Sequence, residues 1–416
     1  MKLTTTTPSL LIALALRSFA LCPIAQAVSP TPDGGYPGGN TAEGQNALFS
    51  LTTGGYNTAV GYLSLGGNTE GQFNTAIGAG ALFANARAAG NTAIGVGGLF
   101  SHVTGGSNTA TGTFALFHDT DGQANTANGS GGLFNNTTGG FNTATGYDAL
   151  LGNTTGDDNT ATGEEALKAN STGDDNTATG STALGSNTMG SSNTADGRLA
   201  LASNTTGNNN TAIGVLALSQ AIGNSNTALG FQAGSAVTTA GNVICIGANV
   251  TGADISSSCY IGSIFAQPSA GGMAVFINSD NKLGTVTSSK RFKEHIQLMD
   301  RSSEALFSLN PVTFRYKKEL DPLGVPQFGL VAEEVERVSP DLVVHDKKGK
   351  PYSVRYEQVN AMLLNEFLKE HKTVEELKST VAKQEKQIQA LTSAFQKVTA
   401  QIEEYVPHPK VVLKDP

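Results

Sequence analysis

The sequence predicts a mainly β protein: a parallel solenoid of short repeats, followed by a smaller globular segment and a coiled-coil helix. Three observations predict it. Asn-Thr-Ala recurs from Asn40 to Asn210 at a fixed step of 17 residues, with a twelfth copy at Asn226. A period of that length marks an array whose units bury their apolar faces only against their neighbours. The composition then changes near Pro268, where a Gly-rich, lightly charged sequence gives way to an ordinary globular one. Finally, apolar residues at alternating steps of three and four run from Val374 to Tyr405, the pattern of a coiled-coil seam.

The chain opens with Met1-Lys2, an apolar stretch around Leu10 to Leu16 and Ala25-Gln26-Ala27. That layout predicts a secretory signal over 1–27, cleaved after Ala27, and a linker over 28–39. No later apolar run reaches the ~20 residues of a membrane helix. An exported protein without a transmembrane segment after signal removal is expected, secreted or held at the cell surface.

The repeat array is expected over 40–265. With Asn as position zero, position two is Ala in every copy from Ala42 to Ala228, and position eight is Leu from Leu48 to Leu218. These columns belong inside. Position three reads Glu43, Val60, Ile77, Thr111, Asn128 and Asp196 among others, and a column that takes Glu, Asp and Asn faces water. Asn, Ala and Gly are therefore expected on the inner side of one short strand and Leu on a second strand. Gly at position four, and segments such as Asn153–Gly156 and Asn204–Gly207, are expected to turn the chain at positive φ. About twelve rungs spaced ~4.8 Å apart would make a short rod.

An interior of Ala and one Leu per rung is thin. Phe49, Phe83, Phe100, Phe117 and Phe134 follow the Leu column, and are expected to extend the apolar surface into an interface between parallel chains. The tandem Asn-Thr-Ala-Ile-Gly units resemble the left-handed parallel β-roll heads of trimeric autotransporter adhesins. The resemblance covers Asn40 to Gly262 and implies a left-handed roll and a homotrimer; the sequence pattern of the membrane-anchor barrel of those adhesins is not seen in these 416 residues, and no autotransport is expected from them.

Charge and metal-ligand chemistry exclude several classes. Between Asn40 and Phe265 there are 3 Lys or Arg against 13 Asp or Glu, so the array repels polyphosphate and no nucleic acid partner is expected. The six histidines are dispersed, without ligand spacing, and neither a metal nor a cofactor is expected. Asp157-Asp158 and Asp174-Asp175, one period apart, read as solvated turn residues. Aligning the last two units puts Cys245 beside Tyr260 and Cys259 beside Ile244, which disfavours a disulfide because neighbouring strand positions face opposite sides.

A neck is expected over 266–287 and an α+β domain over 288–360. At their junction stands Thr287-Ser288-Ser289-Lys290-Arg291-Phe292-Lys293. A serine hydroxyl needs a neighbour to take its proton before it can attack, and a lysine serves only when desolvation or nearby cations make it a base. Ser-x-x-Arg-x-Lys, then Asn310–Tyr316, Phe328–Val335 and Tyr352–Tyr356, closely resemble the intramolecular chaperone domain of phage endosialidases and tail spikes, an autocleaving Ser-Lys peptidase. The resemblance implies Ser288 as nucleophile, Lys293 as general base, Arg291 as motif support and cleavage between Thr287 and Ser288. Ser289 stands where the family commonly has Asp, and Glu333 where it commonly has Gln.

The coiled coil is expected over 361–405, with polar Gln384 inside the seam, and a tail over 406–416. Spacing alone does not choose between dimer and trimer; the family resemblance implies a trimer. Together these features predict an exported homotrimeric fibre or adhesin-like binding protein. Its C-terminal domain would drive folding and then cut itself free, and its surface ligand, carbohydrate or protein, is not specified by the sequence. Two alternatives are a polysaccharide-degrading spike, which would need paired carboxylates in a groove, and a single-chain ice-binding solenoid presenting arrays such as Thr143-Ala144-Thr145.

Overall fold

The computed structural model describes residues 36–278 and 280–405. The expected signal segment (1–27) and tail (406–416) lie outside the described residues. The chain forms two units, 1–268 and 269–416.

The first unit is a parallel β-solenoid. Fourteen three-residue strands, from β1 (Thr41–Glu43) to β14 (Cys259–Ile261), make one sheet in strict sequence order. Like residues pair with like: Thr143 with Thr160, Ala144 with Ala161, Thr145 with Thr162. This register follows from the period, because a one-residue slip would turn the Ala column outward and the Thr columns inward. Central Ala residues are buried along the array while their neighbours on either side remain open to solvent.

Each rung contains one strand rather than the two the sequence suggests. Ala149 and Leu150, at positions seven and eight, are both fully buried, and a strand sends neighbouring side chains to opposite faces. The chain resolves this conflict by placing Leu in the left-handed region, at φ 52° for Leu150 and 50° for Leu167. Hydrogen bonding between rungs nevertheless continues around the turn: Leu150 N–H donates to Ala166 O at 3.0 Å, and Thr154 N–H to Ser171 O at 2.9 Å.

Position-four glycines do take positive φ, 135° at Gly146 and 132° at Gly163. The glycines of Asn153–Gly156 and Asn204–Gly207 correct the expectation, because neither Gly156 nor Gly207 has positive φ. They are needed for space: a Cβ on Gly156 would lie 2.7 Å from Asn153 Oδ1 and against the carbonyl oxygen of Gly173. Asn153 and Asn204 are themselves buried rather than turn residues facing water.

Two asparagine ladders run through the interior. In the first, Asn159 Nδ2 donates to Asn142 Oδ1 at 3.1 Å and to Gly173 O at 2.8 Å, while Asn159 Oδ1 accepts from Asn176 N–H. In the second, Asn170 Nδ2 donates to Asn153 Oδ1 at 2.8 Å and to Gly173 O at 2.9 Å. Buried amides are tolerated because the next rung satisfies them. His102 and Asp119 replace two members of the second ladder, both fully buried, with His102 Nδ1 2.7 Å from Asp119 Oδ2. His102 Nε2 faces Gly105 O at 2.7 Å, so it carries a hydrogen and donates. His102 offers no donor to the rung before it, and Asn85 Oδ1 is left without a partner.

Phe83, Phe100, Phe117 and Phe134 form a stacked column with centroids 5.1 to 5.4 Å apart. These rings are half-buried within their own chain, whereas Phe49 is exposed. Cys245 is buried and Cys259 exposed, both unpaired, with Cys245 opposite Tyr260 as the alignment requires.

Asp254 closes the last turns. Its carboxylate accepts the backbone N–H groups of Thr238, Thr239 and Ala240 and both threonine hydroxyls. The Thr238 hydroxyl and the Ala240 and Thr238 amides hold its pKa well below the usual carboxylate range. A depressed folded pKa gives stability that is present above the unfolded value, about 4, and is lost as pH falls below it. Amide-exchange protection over 238–254, corrected for intrinsic rates, should therefore fall on acidification below pH ~4. In Asp254→Asn the fall should be shallower, from a lower starting protection.

The second unit is small and α+β, as expected. A hairpin of β15 (Phe276–Ile277) and β16 (Leu283–Gly284) precedes a 3-10 turn (Lys290–Phe292) and a 3-10 segment (Asp300–Ser308). Next come the antiparallel pair β17 (Val312–Phe314) and β18 (Gln327–Gly329), helix α1 (Ala332–Val338), the antiparallel pair β19 (Val343–His345) and β20 (Pro351–Val354), and helix α2 (Tyr356–Tyr405). Val335, Leu342, Val343, Val354, Val359 and Met362 make the core. Helix α2 is 50 residues long, and from His371 to Tyr405 every residue is exposed. Among the described residues, no helix is long and apolar enough to cross a membrane.

Candidate functional site

The five-residue spacing between Ser288 and Lys293 brings the two side chains together. The 3-10 turn Lys290–Phe292 folds the chain back, with Phe292 N–H bonded to Ser289 O at 3.0 Å and Lys293 N–H to Lys290 O at 3.1 Å. Lys293 Nζ then lies 3.3 Å from Ser288 Oγ. Ser288, Lys290, Lys293, His295 and Ile296 line an open concavity of about 620 Å³. Both members of the pair are exposed.

Thr287, on the other side of the bond in question, accepts a long hydrogen bond of 3.5 Å from Ser289 N–H through its hydroxyl. Arg291 points elsewhere. Its guanidinium carbon lies 4.6 Å from the centroid of the Phe292 ring, a cation–π contact with the adjoining residue.

A polar cluster between the 3-10 segment and α2 was not anticipated. Ser303 is fully buried; it accepts from Asn365 Nδ2 at 2.6 Å and from Lys369 Nζ at 3.4 Å, and its hydroxyl donates to Glu366. The Lys369 ammonium and the Ser303 hydroxyl hold the Glu366 carboxyl below its ordinary range. Buried and saturated, Ser303 serves as a clamp that ties the start of the long helix to the domain. Its sequence signal is Asn-Glu-x-x-Lys on one face of α2, which reads as a solvated face until the serine is placed against it. Tyr356 acts similarly: its hydroxyl accepts from Leu330 N–H at 3.0 Å. A Cβ on Gly329 would fall 2.8 Å from that oxygen, which accounts for glycine there.

The described residues contain no cluster of three or more metal-ligating side chains. Asp157 and Asp174 are used structurally, with Gly140 N–H donating to Asp157 Oδ1 and Asp157 N–H to Asp174 Oδ1.

Residues 288–344 match the family model described as chaperone of endosialidase. The match begins at the serine of the pair and ends in β19. No curated protein and no solved structure matches the chain.

Proposed function

We propose that this chain is an exported fibre protein that assembles as a homotrimer, its second unit acting as an intramolecular chaperone that gathers three copies and then releases itself. One observation carries the reading: behind a solenoid of fourteen rungs, the chaperone-of-endosialidase match begins at Ser288, whose hydroxyl is already within reach of Lys293. The adhesin-like array supplies the fibre, and its ligand is a surface carbohydrate or protein. The pattern of residues 1–27 supports export.

Need and means agree physically. Fourteen rungs carrying left-handed residues at several positions each cannot form singly, since each such residue costs on the order of 1–2 kcal/mol. A nucleus is required. Helix α2 supplies one locally, because its seam of Val374, Leu377, Val381, Ile388 and Leu391 is exposed along its whole length. An apolar stripe on an otherwise polar helix is covered by the same stripe of other copies.

In the cleavage step, Ser288 Oγ adds to the Thr287 carbonyl carbon while Lys293 Nζ, as the free amine, takes the hydroxyl proton. The Thr287–Ser288 C–N bond then breaks, the proton passes to the departing nitrogen, and Thr287 is left esterified to Ser288 Oγ. Water hydrolyses that ester, giving a carboxylate on Thr287 and a free amine on Ser288. Both side chains face water in the single chain, so the desolvation a lysine base requires comes from packing against further copies. Once cut, the fibre is separated from its chaperone and its assembly becomes kinetically irreversible.

Intact-mass measurement tests this. Wild type should yield two fragments, one ending at Thr287 and one beginning at Ser288, while Ser288→Ala and Lys293→Met should stay whole with cleavage reduced by more than about 100-fold. Uncut wild-type trimer would remove the peptidase step and leave the chaperone; cleavage that persists in Ser288→Ala would overturn the site.

A further inference from the structure

The outward face of the solenoid sheet is not uniform. Across its middle, positions three and five hold Thr162, Glu164, Thr179, Ser181, Asp196 and Arg198. Over the last four rungs position three becomes aliphatic throughout, and position five holds Val215 and Phe231, then Ala248 and Ser263. Ile213, Val215, Leu229, Phe231, Ile246 and Ile261 lie on adjoining rungs and are 36 to 48% exposed. They form one patch of several hundred Å², comparable to the largest apolar patch of a typical monomer, which is often functional. A smaller group recurs at Ile77, Ile94 and Val96.

We infer that this patch is a contact surface between copies of this chain, placed where the array ends before residue 268. The inference rests on the proposed assembly and adds to it the part of the array that touches. Three arguments select a second copy as the occupant. First, copies held parallel by α2 present the same rungs at the same height, so the patch meets itself. Second, positions one, three and five of the last four rungs carry no charge, whereas one rung earlier a like contact would set Asp196 against Asp196. Third, several hundred Å² is less than the ~800 Å² per partner of a standard stand-alone interface, yet suffices when a coiled coil already holds the chains together. The chain therefore has adhesive last rungs and a polar middle, and the middle stays open for ligand.

Cys259 provides the test, since it is exposed and its strand pairs with Ile244 on this same face. Full-length Cys22→Ser is treated with a short bismaleimide and compared with the triple variant Cys22→Ser/Cys259→Ser/Thr162→Cys, which moves the thiol to the middle of the face. Native mass is recorded for both. Interchain cross-linking should be at least about tenfold greater through Cys259 than through position 162. Equal or reversed yields in a trimeric protein would overturn the patch and leave the assembly standing. A monomeric native mass would overturn both. Matching thermal unfolding midpoints ensure that the two chains are compared in the same fold.

Discussion

Gly163→Ala is expected to destabilise the solenoid by about 3 kcal/mol or more, a large effect for a single methyl group. Two causes combine. Gly163 sits at φ 132°, a conformation open to glycine and costly for any L side chain. The new Cβ would also lie 2.7 Å from the carbonyl carbon of Gly180 and 2.8 Å from its oxygen. Backbone cannot yield there without breaking the hydrogen bonds of two rungs. Asp158→Gly is the matched control: Asp158 has φ 57° without being glycine, so its replacement relieves strain and should leave stability within about 1 kcal/mol of wild type. Denaturation midpoints for the three proteins should separate the alanine variant cleanly from the other two.

Asn159→Leu should cost as much by a different route. Asn159 is fully buried and holds three rungs together through Asn142, Gly173 and Asn176. Leucine, a larger side chain, leaves the Asn176 N–H without an acceptor inside the array, while the Gly173 carbonyl keeps its bond from Asn170 Nδ2. The orphaned buried donor costs about 1 to 3 kcal/mol and forcing the larger side chain into a packed interior about 1 to 3 kcal/mol more, so a loss near 3 kcal/mol or above is expected. Thr162→Ala, on the exposed face of the neighbouring strand, should stay within about 0.5 kcal/mol. If Asn159→Leu proved neutral, the ladder would be a consequence of the fold rather than one of its supports.

The contrast between these two positions shows what the sequence made legible. The period fixed the stacking, and the Ala and Leu columns identified the interior, because residues that recur at one position among varying neighbours are those held inside. The second asparagine ladder was misread as a turn. Asn-Thr-Thr-Gly has the composition of a turn, and composition cannot distinguish a loop facing water from one whose amides stack inward. The signal was periodic: Asn136, Asn153, Asn170, Asn187 and Asn204 keep the same 17-residue step as the first ladder. His102 and Asp119 fall on that step too, yet read singly they are a dispersed histidine and an ordinary acid. The left-handed Leu was likewise encoded in the small residues that precede it, such as Ala149 and Ala166, since two adjacent buried positions are incompatible with a strand.

The candidate site was legible to a different degree. Five residues from serine to lysine suffice, once a 3-10 turn lies between them, to bring the side chains to 3.3 Å. The Ser303 clamp escaped notice because its partners lie more than 60 residues away in sequence, at Asn365, Glu366 and Lys369. Covalent neighbours reveal local motifs; contacts across the domain emerge only with the fold.

Whether one chain's C-terminal unit gathers further copies of the same chain is decided by native mass spectrometry of full-length Ser288→Ala, which cannot release that unit. Three chains per particle are expected, falling to one when Leu377 and Leu391 are both replaced by Asp. A wild-type seam that yields single chains at micromolar concentration would contradict that gathering, and the array would then stand as a solenoid that folds alone.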